Sequence, residues 1–94
     1  MQYSLHVRKA AEAQLIRLWT SADSASRRAI TQASHQIDQI LMSPSAPTAG
    51  EPCPRPGLPT TRGLEVGPLG VEFVVMNSFR EVQIRRYYLV SGGP

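Results

Sequence analysis

The first residues of the chain alternate between apolar and polar side chains. Tyr3, Leu5 and Val7 are separated by single polar residues, which is the period-two pattern of a β-strand with one covered face. We therefore predict a first strand that ends near Arg8.

Two amphipathic helices are predicted after this strand. From Lys9 the apolar residues recur at helical spacing, which favours a first helix of about three turns. Ser and Asp side chains at 21–24 interrupt the stripe and suit a helix start, so a second helix should begin at Asp23 or Ser24. The short link predicts a helix hairpin that packs on a sheet. Its predicted buried positions, with Trp19 as a core anchor, are Ala11, Leu15, Leu18, Trp19, Ala22, Ile30, Ala33, Ile37, Ile40 and Leu41.

A proline-rich segment divides the helical half of the chain from a strand half. Residues 43–62 hold six of the eight prolines, and we interpret them as a loop. Strand-like runs then follow at 63–66, 69–76 and 80–86, separated by turn residues. The order predicts an antiparallel meander of three strands.

These elements define an α+β fold with the order β-α-α-β-β-β, in which the helix hairpin packs on an antiparallel sheet. The 94 residues fit a single domain, 1–94, with 43–62 as its loop and 91–94 as a flexible tail.

Composition narrows the possible functions only slightly. Ten Lys plus Arg against seven Asp plus Glu give a net charge of +3, and nine of the ten cations are arginine, which suits contact with phosphate or carboxylate. Cys53 is the only cysteine, so no internal disulfide is possible and no zinc-ligand spacing exists. We expect no metal or cofactor. The lone thiol and the lack of a signal or spanning segment predict a soluble, cytoplasmic protein.

The order of elements and several local motifs resemble the RelE/ParE superfamily of type II toxins. The resemblance covers residues 3–88 and rests on A-x-x-x-L-x-x-LW in the first helix, Gly50 with Glu51 in the loop, Arg62 before a short strand, and GPLGVEFVV followed by REVQI. It implies a toxin that is neutralised by an antitoxin whose C-terminal segment wraps it. Members similar to RelE cut mRNA inside the ribosome, whereas ParE-like members inhibit DNA gyrase, and the fold does not separate the two.

The preferred hypothesis is a metal-independent, ribosome-associated mRNA endoribonuclease. Such cleavage needs a group that deprotonates the 2′-hydroxyl, cations that hold the phosphate, and a proton donor for the leaving oxygen. Arginines and a tyrosine serve if they converge. The predicted catalytic residues are Arg62, Arg86 and Tyr88, and the predicted RNA-binding residues are Arg55, Arg85 and Tyr87.

One position departs from the nuclease pattern. RelE-like sequences commonly read G-x-Y-R-V-x-Y in the second meander strand, and GPLGVEF places Gly70 at the arginine of that pattern. Gly70 therefore favours the alternative hypothesis, which is a ParE-like gyrase inhibitor or an inactive relative that acts only as a binding module.

For three of the candidate arginines, the sequence allows a structural role as well as a functional one. Arg62 suits a phosphate contact or an ion pair with Glu51 or Glu65. Arg55 lies in the proline-rich loop, where an arginine is more often simply solvated. Arg86 falls in phase with the apolar residues of its strand, so either the strand bulges there or Arg86 points its charge out of the end of the core.

The expected partner surface is the face of the meander opposite its core. Val74 and Met76 lie on that face and would be exposed to water unless a partner covers them. An antitoxin segment is the natural cover, either as a strand added to the sheet edge or as a helix in the groove between hairpin and sheet. Self-association through the same face is the alternative.

Overall fold

The computed structural model describes residues 2–90, in which two helices pack on one face of a five-stranded sheet. The expected tail at 91–94 lies outside the described residues. The strands are β1 (Ser4–Val7), β2 (Glu51–Pro52), β3 (Arg62–Val66), β4 (Leu69–Met76) and β5 (Glu81–Leu89), and the helices are α1 (Lys9–Thr20) and α2 (Ser24–Met42).

The predicted α+β fold is confirmed, with a correction to the sheet. The strand order is β1-β5-β4-β3-β2, and β3, β4 and β5 form the expected antiparallel meander. The sheet is mixed rather than wholly antiparallel, because β1 lies parallel to β5 with Leu5 opposite Val82. These two strands are joined by most of the chain instead of a tight turn, so the connection does not force them to be antiparallel. The short β2 in the proline-rich loop adds a fifth strand that was not predicted.

The helix hairpin is closed by side chains at its turn. The carboxylate of Asp23 accepts a hydrogen bond of 2.8 Å from the Ser26 N–H, so α2 begins where predicted. Arg27 donates at 3.0 Å to the carbonyls of both Trp19 and Thr20 in the last turn of α1, and the Trp19 carbonyl also accepts from the Ala22 N–H at 3.2 Å.

Trp19 corrects one core prediction. Its side chain is 42% exposed, and the Arg27 guanidinium lies 4.5 Å from its ring centroid. Trp19 faces a groove lined by residues of α1 and α2, where its Nε1 donates to Thr31 Oγ1 at 3.3 Å. An arginine of the neighbouring helix therefore covers the indole through a cation–π contact, and the sheet does not.

The core lies between the hairpin and the sheet and is wholly apolar in its centre. Helical residues spaced three and four apart meet alternate residues of β4 and β5, as the two periodicities require. Within residues 2–90, no helix combines the length and apolar character needed to cross a membrane. The principal buried contributors are Ala11, Ile30, Ala33, Ile37, Leu41, Leu69, Val71, Phe73, Val82, Ile84 and Tyr87.

The proline-rich segment is fixed to the domain rather than projecting from it. Ala46 is fully buried, and Thr61 is 2% exposed with its hydroxyl donating to the Leu58 carbonyl at 2.8 Å. The Cys53 N–H donates to the Thr61 carbonyl at 2.8 Å. The loop is joined to the sheet through β2, which pairs with β3 at Glu51 opposite Gly63.

Gly50 lies within this loop, directly before β2, and we expect Gly50→Ala to destabilise the fold strongly. Its φ is +65°, and an added Cβ would lie 2.0 Å from the Gly63 carbonyl oxygen. Gly57 is a matched control because its φ is +76° but a Cβ there meets nothing within 4 Å. Gly57→Ala should cost only the left-handed strain of about 1 to 2 kcal/mol.

Urea unfolding of both variants measures this difference. A loss of stability for Gly50→Ala that does not exceed the loss for Gly57→Ala would contradict the close packing of the loop against β3.

Candidate functional site on the outer face of the sheet

A β-bulge in β5 decides which residues reach the face of the sheet opposite the helices, here called the outer face. Phe73 pairs with Ile84 but Glu72 pairs with Arg86, so Arg85 is the extra residue between the two pairs. The strand therefore bulges at this point. Of the two predictions for Arg86, the bulge is the one that the structure confirms.

The bulge reverses the alternation of the side chains that follow it. Tyr87 turns inward and is 4% exposed, while Arg86 and Tyr88 lie on the outer face. Burial raises the pKa of the Tyr87 hydroxyl, and the nearby Asp38 carboxylate adds to this effect. Tyr87 is thus a core residue and lies away from the outer face.

The centre of the outer face is a carboxylate held between two guanidinium groups, here called the Arg–Glu–Arg cluster (Arg55, Glu72 and Arg86). Arg55 donates from Nε to Glu72 Oε1 at 3.1 Å and from Nη2 to Oε2, which is a bidentate fork. Arg86 Nη1 donates to Oε2 at 2.8 Å. The Glu72 side chain is 8% exposed, whereas the two arginine side chains are 46% and 48% exposed.

The carboxylate and the guanidinium groups of the cluster stabilise each other's charged forms. Hydrogen bonds from Arg55, followed by its charge and the contacts of Arg86, hold the pKa of the Glu72 carboxyl below its usual range in spite of its burial. In turn, the hydrogen bonds of Glu72 raise the pKa of Arg55. The expectation that Arg55 is merely solvated is wrong, because β4 brings this carboxylate beneath the loop.

Tyr88 lies beside the cluster and covers Gly70. A Cβ at position 70 would lie 2.3 Å from two carbons of the Tyr88 ring, so the ring rests directly on the glycine backbone. The Tyr88 hydroxyl donates weakly to Glu65 at 3.4 Å, and the Arg86 guanidinium lies 5.0 Å from the ring centroid. Burial first, and then Glu65, raises the pKa of Tyr88, so the phenol is protonated at neutral pH.

Arg62 is turned away from the outer face and into the proline-rich loop. Its Nε donates to the Ala49 carbonyl at 2.8 Å, and its Nη2 donates to the carbonyls of Gly50 at 3.0 Å and Thr48 at 3.4 Å. Its structural partners are backbone carbonyls, not the Glu51 or Glu65 carboxylate that the sequence suggested.

A concavity of about 480 Å³ opens next to Tyr88, between the loop and β3. Its charged lining consists of the carboxylates of Glu51 and Glu65, so it does not attract an anion. The full lining is Gly50, Glu51, Pro52, Cys53, Gly63, Leu64, Glu65 and Tyr88.

Of the six residues proposed from the sequence, the structure brings together three and separates the rest. Arg55, Arg86 and Tyr88 meet on the outer face, Arg62 holds the loop, Tyr87 is in the core and Arg85 is at the bulge. The residue that was missed is Glu72. It is the only charged residue in the apolar run 69–76, and a charge in such a run is rarely buried unless it is paired.

The exposed apolar surface does not lie at Val74 and Met76, where the sequence predicted it. Val74 and Met76 are partly buried rather than open. Leu89 is 50% exposed at the rim of a groove of about 490 Å³ between the hairpin and the sheet, where Leu18 and Ala22 also lie. A groove between hairpin and sheet, which was one of the two predicted sites for an antitoxin segment, is therefore present.

Solved structures similar to this chain come from bacterial toxin–antitoxin systems. The chromosomal ParDE system of P. aeruginosa matches with a TM-score of 0.70 and 23% identity over 95% of this chain and 97% of that chain. The RelBE2 toxin–antitoxin complex of Mycobacterium tuberculosis matches with a TM-score of 0.66 and 14% identity, over 96% and 100%. The isolated E. coli RelE toxin gives 0.57 and 15%, over 97% and 87%.

No family model matches the chain, and no curated protein matches it in sequence. At these identities the structural matches establish the fold alone. The chain therefore has the RelE/ParE-like toxin fold, as the sequence resemblance indicated.

The paired state of Glu72 predicts a loss of stability in acid. Because its folded-state pKa lies below the ordinary value of 4.5, its contribution is present above that pH and is lost as the pH falls through the folded pKa. We expect Glu72→Gln to remove this part of the pH dependence. Urea unfolding from about pH 6 to about pH 3 measures it, and equal slopes for the two proteins would contradict the pairing.

The contact between Gly70 and Tyr88 predicts a coupled loss of stability. Gly70→Ala should destabilise the fold by about 1 to 3 kcal/mol, because the new methyl group overpacks the Tyr88 ring. In a Tyr88→Ala background the same substitution should cost much less. A thermodynamic cycle from chemical unfolding tests this, and additive effects would show that the ring does not rest on the glycine.

Proposed function

We propose that this chain is the toxin of a type II toxin–antitoxin pair and that it acts by binding a protein target, as ParE-like toxins do, rather than by cleaving RNA. The fold supports the first part, since the similar structures belong to RelBE and ParDE systems. The observation that carries the second part is the Arg–Glu–Arg cluster.

The cluster leaves little positive charge for a scissile phosphate. Two guanidinium groups on the outer face are bonded to Glu72, and the neighbouring Tyr88 contacts a second carboxylate, Glu65. Two cations thus face two anions. Metal-free cleavage depends on cations aimed at the developing phosphate charge, and here their hydrogen bonds are already directed to a carboxylate.

The cluster also offers no poised general base. Tyr88 remains protonated because its pKa is raised, and Glu72 is fixed by two arginines with its pKa lowered. A base that takes a proton from a 2′-hydroxyl needs a free acceptor within hydrogen-bond reach. Gly70, which stands at the arginine of the nuclease pattern, lies beneath the Tyr88 ring and adds no functional group.

The second candidate function is the ribosome-associated mRNA endoribonuclease. One observation favours it: Arg55, Arg86 and Tyr88 converge on a single face, as a phosphate site with a proton donor requires. RNA cleavage at this face would require the arginines to exchange Glu72 for a phosphate group. Either target, the ribosome with its mRNA or DNA gyrase, implies action in the cytoplasm.

An antitoxin protein is the proposed partner, and the groove between hairpin and sheet is its proposed site. The exposed Leu89 and the apolar Leu18 and Ala22 give this groove an apolar wall that an amphipathic helix would bury. Arg17 and Asp23 lie at the same groove and give it polar margins.

Inducible expression of the chain alone in a bacterial host tests the proposed function. We expect growth arrest with loss of negative supercoiling in a reporter plasmid and with intact mRNA 5′ ends. Cuts clustered at codons would contradict the proposal and support the nuclease, particularly if Arg86→Ala abolished them. Growth without arrest would indicate an inactive relative.

A further inference from the structure

We propose that Arg55 and Arg86 form an anion-binding site whose permanent occupant is Glu72 of the same chain, so that this carboxylate excludes nucleic-acid phosphate from the outer face. Glu72 is then a specificity-determining residue. It selects against polyanions on a chain whose net charge of +3 would otherwise favour them.

The arrangement has the features of a filled anion site. A phosphodiester presents two anionic oxygens to guanidinium groups in the same bidentate manner as a carboxylate. Both oxygens of Glu72 are used in this way, since Oε1 accepts from Arg55 and Oε2 accepts from Arg55 and Arg86. The carboxylate therefore takes the place that a phosphate would occupy.

The two arginines remain reachable from solvent. Their side chains are 46% and 48% exposed, whereas the carboxylate between them is 8% exposed. A phosphate could thus approach the guanidinium groups, but it would have to displace Glu72. That step is unfavourable because it leaves a buried carboxylate without a partner.

The competition is also unequal in concentration. Glu72 is held in position by pairing within β4, β3 and β5, so it competes as an intramolecular ligand with a high effective concentration. A phosphate group from solution has no such advantage. The wild-type outer face should therefore reject phosphate at ordinary concentrations.

Removal of the negative charge should open the site. In Glu72→Gln the side chain keeps its size, while the two guanidinium groups lose their anion. We expect this variant to bind a fluorescein-labelled single-stranded RNA oligonucleotide about tenfold or more tightly than the wild type, a factor that one charge-assisted hydrogen bond is sufficient to provide. The slope of log affinity against log salt should steepen by about 1.4, for two phosphate contacts at about 0.7 each.

A charge-matched control separates this effect from net charge. Glu65→Gln also removes one carboxylate from the outer face, but Glu65 contacts Tyr88 and neither arginine. It should bind the oligonucleotide nearly as weakly as the wild type. In Glu72→Gln combined with Arg55→Ala and Arg86→Ala, the gain should disappear.

Fluorescence anisotropy at two or more salt concentrations measures all four proteins, with circular dichroism to verify folding. If Glu72→Gln does not fold, Glu72→Met keeps a similar volume without charge and takes its place. Equal affinities for the wild type and the Glu72 variant, or an equal gain from Glu65→Gln, would overturn the proposal. The assay contains no antitoxin, ribosome or gyrase, so its outcome is independent of the cellular target.

Discussion

The buried carboxylate of Glu72 is the constraint on which the outer face depends. Its side chain is almost inaccessible to water, so its charge must be balanced by partners within the protein. One partner, Arg55, comes from the proline-rich loop, and the other, Arg86, reaches the outer face only because β5 bulges at Arg85. The carboxylate therefore links the loop to β4 and β5. The same pairing fixes the shape of the outer face and cancels much of its charge.

This constraint has consequences for chemistry because the fold itself does not decide between nucleic-acid cleavage and protein binding. The similar solved structures include RelE and ParE toxins alike, at identities of 14 to 23%. For this chain, the residues of the outer face bear on that choice. The arginines that would hold a phosphate already hold Glu72, and the glycine beneath Tyr88 leaves room for a ring where a functional side chain would otherwise stand. These features support the proposal that the chain recognises a protein surface.

Local patterns in the sequence were sufficient to predict most of the fold. The alternation of Tyr3, Leu5 and Val7 and the capping side chain of Asp23 act over a few residues, so β1 and the start of α2 follow directly from them. The parallel pairing of β1 with β5 depends on contacts between distant parts of the chain. The exposure of Trp19 depends on how α1 and α2 pack against each other, and no local pattern contains that information. The candidate site was harder to predict for the same reason: Arg55 and Glu72 are 17 residues apart, and the bulge that turns Tyr87 inward is one of two outcomes that the sequence allowed.

The central claim is that Glu72 and its two arginines act as one energetic unit, and a double-mutant cycle between Glu72 and Arg86 tests it most directly. The free energy of unfolding would be measured for the wild type, Glu72→Gln, Arg86→Gln and the double variant at neutral pH. If the pair is coupled as the 2.8 Å hydrogen bond indicates, the double variant should lose clearly less stability than the sum of the two single losses. Additive losses would show that the carboxylate and the guanidinium act independently, and the account of a closed anion site would then be wrong.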